Sequence, residues 1–178
     1  MRFVACVIWQ VVHANPWNVA GSGDPMVSAC MDRLRVHLDS WYQSNGVDVS
    51  LRIGRLTTGM LGDSTAPELR TKAAETGVLL PWALVLLREN AQAVRGAETW
   101  LAAGVALEEY MWMIDRFPLK MTAQQCEVLL AACLRHLHAY AAAGGFLTPK
   151  RRPLCAHDLA GAAQGEPEMS LNVFSMSR

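Results

Sequence analysis

The chain has 178 residues, which is enough for one domain with a sizeable hydrophobic core and too few for two comfortable domains. Hydrophobic residues make up 52% and charged residues 18%, so part of this apolar surplus is expected to meet a partner or a membrane surface. The 16 basic and 16 acidic side chains cancel, which excludes a global field that attracts nucleic acid or anionic lipid.

Residues 1–23 form an apolar N-terminal segment. In MRFVACVIWQVVHAN an arginine precedes an apolar run from Phe3 to Val12, and the small residues near Ala14 outline the cleavage site of a secretory signal. Gln10 interrupts the run and its basic region is one residue long, so we favour a buried strand or a short helix. The run is too short to span a bilayer.

A helical core is predicted for residues 24–144, and its first helix is well delimited. Asp24 and Pro25 predict the start, with a capping carboxylate followed by proline at the first helical position. Apolar residues then recur at spacings of three and four, which predicts one buried face: Met26, Val27, Cys30, Met31, Leu34, Leu38 and Trp41. Asn45 and Gly46 predict the end of this helix. Residues 47–64 read as a loop, with one extended segment at VDVSLRI.

The second helical region is predicted from Pro67 onward. It contains ten consecutive apolar residues, Val78 to Leu87, and a helix that is apolar all round is normally buried at the centre of a domain. Pro81 lies within this run, so we expect either a kink or a break there.

Two further helices follow. Gly96 precedes one, which Phe117 and Pro118 end. Thr122 and Gln125 form a capping box for the other, which runs to Gly144–Gly145. The apolar positions of the first are Trp100, Leu101, Val105, Leu107, Tyr110, Met111 and Ile114. The six tryptophans are mostly assigned to packing: Trp9, Trp17, Trp41, Trp82, Trp100 and Trp112.

These elements predict an all-α fold, an irregular antiparallel bundle of four or five main helices in a single domain, residues 1–178. The N-terminal segment is expected to be irregular. Residues 145–178 are expected to form a loop, a short helix within residues 154–163, and a tail.

One group of residues has the chemistry of a metal site. Cys133 and His136 lie three apart on a helix, and a loop carrying Cys155 and His157 could fold back beside them, giving two sulfur and two nitrogen ligands that zinc accepts. The spacing matches no known zinc module, and a buried cysteine with a helix-end histidine explains the same residues. We therefore favour no metal and expect no cofactor. Five cysteines without regular spacing favour an intracellular, reducing compartment.

A basic cluster follows the last long helix. Lys150, Arg151 and Arg152 could contact phosphates, although three charges in a neutral chain are more typical of a solvated loop, so nucleic-acid binding is the less favoured interpretation. The sequence contains no phosphate-binding loop, dinucleotide fingerprint or nucleophile elbow, and Glu108 and Glu109 diverge on their helix. We therefore predict a protein without enzymatic activity.

Several short motifs resemble a known group of proteins: KAAET at 72–76, LTPK at 147–150, His157, and Gly165-Glu-Pro167 followed by Phe174. Over roughly residues 65–175 they resemble uncharacterised, mobile-element-associated proteins abundant in dinoflagellate genomes. Arg151 and Arg152 depart from that pattern, which has a histidine or an aromatic residue there, and the acidic residues expected after Phe174 are missing. The resemblance implies a transposase-like origin without present catalysis.

Three hypotheses follow. The first is a helical interaction protein or accessory subunit, which binds a protein partner or a second copy through exposed apolar surface. The second is a degenerate fragment derived from a mobile element, with residual nucleic-acid binding through residues 150–152. The third is a zinc-stabilised helical module.

Overall fold

A computed structural model describes residues 2–145, and its helices confirm the all-α prediction. The helices are α1 (Arg2–Ala14), α2 (Asp24–Ser44), α3 (Thr58–Leu61), α4 (Ala73–Glu89), α5 (Ala97–Arg116) and α6 (Ala123–Ala142). A 3-10 turn at Val49–Leu51 and a two-stranded antiparallel ladder, β1 (Gly62–Asp63) and β2 (Ala66–Pro67), lie between α2 and α4. The predicted short helix within residues 154–163 lies outside the described residues.

The N-terminal apolar segment forms α1, a helix buried in the core. It is apolar almost all round, so it can be stable only where other elements surround it. It packs against α2, α3, α4 and β2. Its buried residues are Phe3, Val4, Ala5, Cys6, Val7, Ile8, Trp9, Val11 and Val12. Of the two structures favoured for this run, a buried strand or a short helix, the helix is formed. The predicted irregular segment and the predicted start of the helical core at residue 24 are wrong, because the helical core begins at Arg2.

Helix α2 has the predicted extent and the predicted buried face. Cys30, Met31, Leu34 and Leu38 are all buried. The predicted cap is different, because Asp24 is the first helical residue and Gly23 occupies the N-cap position without a side-chain hydrogen bond. The helix ends as predicted, with Gly46 in the left-handed conformation at φ 59°.

The connection between α2 and α4 differs from the prediction. The segment VDVSLRI contains the 3-10 turn instead of a strand, and the second helix begins at Ala73 instead of near Pro67. The reason is a set of backbone bonds that fold residues 67–70 back: Glu68 N donates to Leu61 O at 2.9 Å, and Arg70 N to Met60 O at 2.8 Å. Ala66 and Pro67 are held in an extended conformation by the ladder with β1, so a helix cannot begin there.

Helix α4 is the predicted central helix, and it continues through Pro81 as one element. A proline inside a helix removes one backbone hydrogen bond, and this cost is offset because the residues around Pro81 on α4 are buried in the core. The buried positions of α4 include Leu79, Leu80, Trp82, Ala83, Leu84, Leu86 and Leu87.

Helices α5 and α6 form an antiparallel hairpin that continues the bundle. Helix α5 packs on α4 and on α6, whereas α6 packs mainly along α5. The predicted capping box is formed: Gln125 N donates to Thr122 Oγ1 at 3.2 Å, and Thr122 N donates to Gln125 Oε1 at 2.9 Å. Gly144 follows α6 in the predicted left-handed conformation at φ 83°.

Candidate interaction surface

His136, one of the four candidate zinc ligands, is a packing residue where α1, α5 and α6 meet. Its Nδ1 lies 2.8 Å from the carbonyl oxygen of Ala103, so this nitrogen carries the proton and donates it. The imidazole stacks on Tyr140 with ring centroids 5.6 Å apart and meets the edge of Phe3 at 5.8 Å. Burial lowers the pKa of His136 below its ordinary value, which keeps the ring neutral at pH 7.

The same junction contains a buried thiol. Cys6 Sγ lies 3.2 Å from Tyr140 Oη, which ties α1 to the end of α6. Burial raises the pKa of Cys6, so the thiol stays protonated, and a protonated buried thiol is a poor nucleophile. Cys6, His136 and Tyr140 therefore hold the hairpin to the core.

The zinc hypothesis is not tested by the described residues, because Cys155 and His157 lie outside them. Cys133 lies on α6, partly buried, one turn before His136. Among residues 2–145, no group of three or more His, Cys, Asp or Glu side chains is placed to hold a metal ion. The basic cluster Lys150, Arg151 and Arg152 also lies outside the described range, so its predicted exposure stays a prediction.

A hydrogen-bonded chain that the sequence did not reveal links α2 to α4. Trp82 Nε1 donates to His37 Nδ1 at 2.9 Å, and His37 Nε2 lies 2.7 Å from a carboxylate oxygen of Glu89. Because an indole nitrogen can only donate, Nδ1 is the unprotonated nitrogen and Nε2 donates to Glu89. The position that a nucleophile would take beside Nδ1 is filled by the buried indole, so this arrangement orients Trp82 and fixes α2 against α4.

The surface that stands out is on the hairpin. Large hydrophobic side chains exposed among the described residues are Val36, Val49, Val105, Trp112, Ile114, Leu119 and Val128. Five of these seven belong to α5, α6 or the connection between them. Such a concentration of exposed apolar side chains is typical of a binding surface.

Three of these side chains share one face of the hairpin. Val105 and Trp112 are two helical turns apart, and Glu109 lies between them on the same side of α5. Glu109 accepts a hydrogen bond from Arg135 of α6 at 2.7 Å. The side of α6 that carries Arg135 therefore lies next to this side of α5, and the two form one continuous face. Val128 precedes Arg135 by two turns. We call these five residues, Val105, Glu109, Trp112, Val128 and Arg135, the hairpin face.

Trp112 is the most prominent apolar side chain of the hairpin face. Its exposed fraction is 54%, against 46% for Val105 and 45% for Val128. The guanidinium of Arg116 lies over the indole at 4.4 Å from the ring centroid, one turn further along α5. Tryptophan and arginine are the residue types most enriched where protein interfaces derive their binding energy.

The sequence interpretation missed this face. It assigned the tryptophans mostly to packing, and Trp9, Trp82 and Trp100 are indeed buried, but Trp112 is not. It named Val105 and Ile114 as apolar positions of α5 without assigning them to a surface, and both are exposed. A signal was available for Trp112 and Val105, because their spacing of seven puts them on one side of α5, well away from the side of Trp100 and Leu107.

Helices long and apolar enough to cross a membrane are not found among residues 2–145. No protein-family model, no curated protein and no solved structure matches this chain. The resemblance to mobile-element-associated proteins therefore stays a prediction.

Proposed function

We propose that this chain is a helical protein-binding module without enzymatic activity, and that it binds its partner on the hairpin face. The observation that carries the proposal is the exposure of Trp112 at 54% beside Val105 and Val128 on one face. An exposed tryptophan costs solubility, and burying it against a partner recovers about 25 cal/mol for each Å² of apolar surface.

The composition of the hairpin face supports a protein partner. Apolar side chains surround one Glu109–Arg135 ion pair, and both of these side chains are about half exposed. Apolar anchors next to a polar rim are the usual anatomy of a protein–protein interface. Nucleic acid would be recognised by an excess of basic groups, and the acidic Glu109 offsets Arg135 here.

The separation of this face from the core also supports binding. Buried side chains of α1, α2, α4 and the first turns of α5 form the core cluster, together with Tyr140 from α6. The hairpin face lies on the opposite side of α5, so its residues are available to a partner without loss of core packing.

The test compares proteins that co-purify with three tagged forms of the chain from its native source. We expect Trp112→Lys to lose a partner that the wild type retains. Val36→Lys is the matched control, because Val36 is 71% exposed on α2, away from the hairpin face. Equal partner recovery by Trp112→Lys, with helical circular dichroism unchanged, would show that this face does not bind.

The alternatives stay predictions. Both the mobile-element fragment that binds nucleic acid and the zinc-stabilised module depend on residues 150–157, which lie outside the described range. The first predicts salt-dependent binding to DNA or RNA, and the second predicts bound zinc in metal analysis of the purified protein.

A further inference from the structure

We infer that the partner on the hairpin face is a second copy of this chain, in a dimer with two-fold symmetry. This inference rests on the proposed function, and it adds the identity and the geometry of the partner. It is carried by the self-complementary order of apolar and charged groups along the face.

The levels of α5 and α6 relative to one another are set by the contact of His136 with the backbone of Ala103, and a second contact joins two long side chains. Ala103 O lies beside His136, and Glu109 lies beside Arg135. Since the two helices are antiparallel, moving nine residues forward from Ala103 to Trp112 corresponds to moving nine residues back from His136, which reaches the position just before Val128. Trp112 therefore lies close to the level of Val128, and the long side chain of Arg135 reaches along the face to Glu109.

We place a two-fold axis parallel to the helices, in front of the hairpin face and above the groove between α5 and α6. It places α5 of each copy over α6 of the other. Residues at one level then face each other across the interface. Trp112 of each copy meets Val128 of the other, and Arg135 of each copy comes within side-chain reach of Glu109 of the other, with the same offset along the helices as within one copy. Apolar groups contact apolar groups, and the four charges alternate in sign around the axis.

The charge pattern favours a second copy over a strongly charged partner. Within one copy Glu109 and Arg135 already neutralise each other, so the face offers no net field to a basic or an acidic surface. A copy of the same face, turned by the two-fold axis, is the surface that matches it group by group. The result is a four-helix arrangement of two antiparallel hairpins, a common way to pack helices.

The available area is sufficient for such a dimer, although not for a very tight one. Helices α5 and α6 have 20 residues each, so each is about 30 Å long, and side by side they present a face about 20 Å wide. Two such faces bury roughly 1,200 Å² in total, the lower limit of stable specific interfaces. We therefore expect a dimer that dissociates on dilution.

The test exchanges the charges between copies. In Glu109→Arg and in Arg135→Glu, each homodimer would contain two like-charged contacts, and we expect dimer affinity to fall about tenfold or more. In an equimolar mixture of the two variants, the mixed dimer contains two opposite-charged contacts again, although each chain still carries its own like-charged pair. We expect the mixture to regain dimer in sedimentation velocity experiments. Val36→Lys should leave the dimer unchanged.

Several outcomes would overturn the inference. A wild type that stays monomeric at every soluble concentration excludes it, and so does a dimer that neither charge variant weakens. Variants that weaken the dimer without recovery in the mixture exclude this axis, because an effect within one chain cannot be repaired by the other. If the wild type is monomeric and Trp112→Lys still loses a co-purifying protein, the hairpin face binds something else and the proposed function stands. If neither is observed, both are wrong.

Discussion

Helices α1 and α6 are both rich in apolar residues, yet the protein uses them in opposite ways. Nine of the 13 residues of α1 are buried, whereas in the 20-residue α6 the buried residues are Ala132 and Tyr140. Elements surround α1 on all sides, and α6 packs mainly along α5. A helix that is rich in apolar residues can therefore lie either at the centre of this fold or at its surface.

The difference separates the part of the molecule that folds it from the part that we propose binds. Most side chains of α1 and about half of those of α4 are buried, so substitutions at these buried positions should act on stability. On the hairpin face, substitutions should act on association and leave the helices intact.

Replacing Leu84 with Asp should prevent folding. Leu84 is 1% exposed in α4, and an unpaired charge there costs several kcal/mol, comparable to the whole stability of about 5–15 kcal/mol. Val36→Asp is the control, since Val36 is largely exposed in another helix. Circular dichroism and urea denaturation measure both variants. A soluble, folded Leu84→Asp protein would contradict the central position of α4.

Replacing Gly104 with Ala should destabilise the protein at the junction of α1, α4 and α5. The added methyl group would overlap Leu84 Cδ2 and lie 2.7 Å from Phe3 Cζ. Both neighbours are buried and have little room to move, so we expect a loss of about 1–3 kcal/mol from overpacking, reduced by the better helix propensity of alanine.

The matched control for this substitution is Gly77→Ala in α4. A methyl group there meets no atom within 4 Å, so the substitution should gain about 0.5–1 kcal/mol from helix propensity. Thermal or urea unfolding of the two variants gives the comparison directly. If both variants changed stability in the same direction, the close approach of α1 to α5 would not be real.

The sequence predicted the parts of this fold that depend on local chemistry. Gly46 and Gly144 end helices because few other residues adopt a left-handed conformation, and Thr122 with Gln125 starts α6 through bonds made within one turn. The central position of α4 was predicted from a run of apolar residues that has no polar side. These signals need no knowledge of distant residues.

The parts that were missed depend on which elements come together. The helical α1 could not be distinguished from a strand or a signal, because α2 and α4 provide its surroundings. The first turn of α4 was placed too early, because the bonds of Glu68 and Arg70 to α3 are not visible in local sequence. The hairpin face was not predicted at all. Exposure of Trp112 follows from the absence of a covering helix on that side of α5 within residues 2–145.

The smallest expected effect concerns pH at the junction between the two regions. Burial lowers the pKa of His136, so the unfolded chain takes up a proton at higher pH than the folded chain does. The stabilising contribution of the neutral ring is complete above the unfolded pKa of about 6.5, and it is lost as the pH falls from there toward the lower folded pKa. The slope of stability against pH cannot exceed about 1.4 kcal/mol per pH unit for one proton.

Urea unfolding of the wild type and of His136→Gln from pH 8 to 5.5 measures this slope, and the stability advantage of the wild type should shrink as the pH falls. His138→Gln, at an exposed position of α6, should follow the wild type. An advantage of the wild type that is constant or grows at low pH would mean that folding does not lower the pKa of His136, and that the ring is not buried at the junction in the way described.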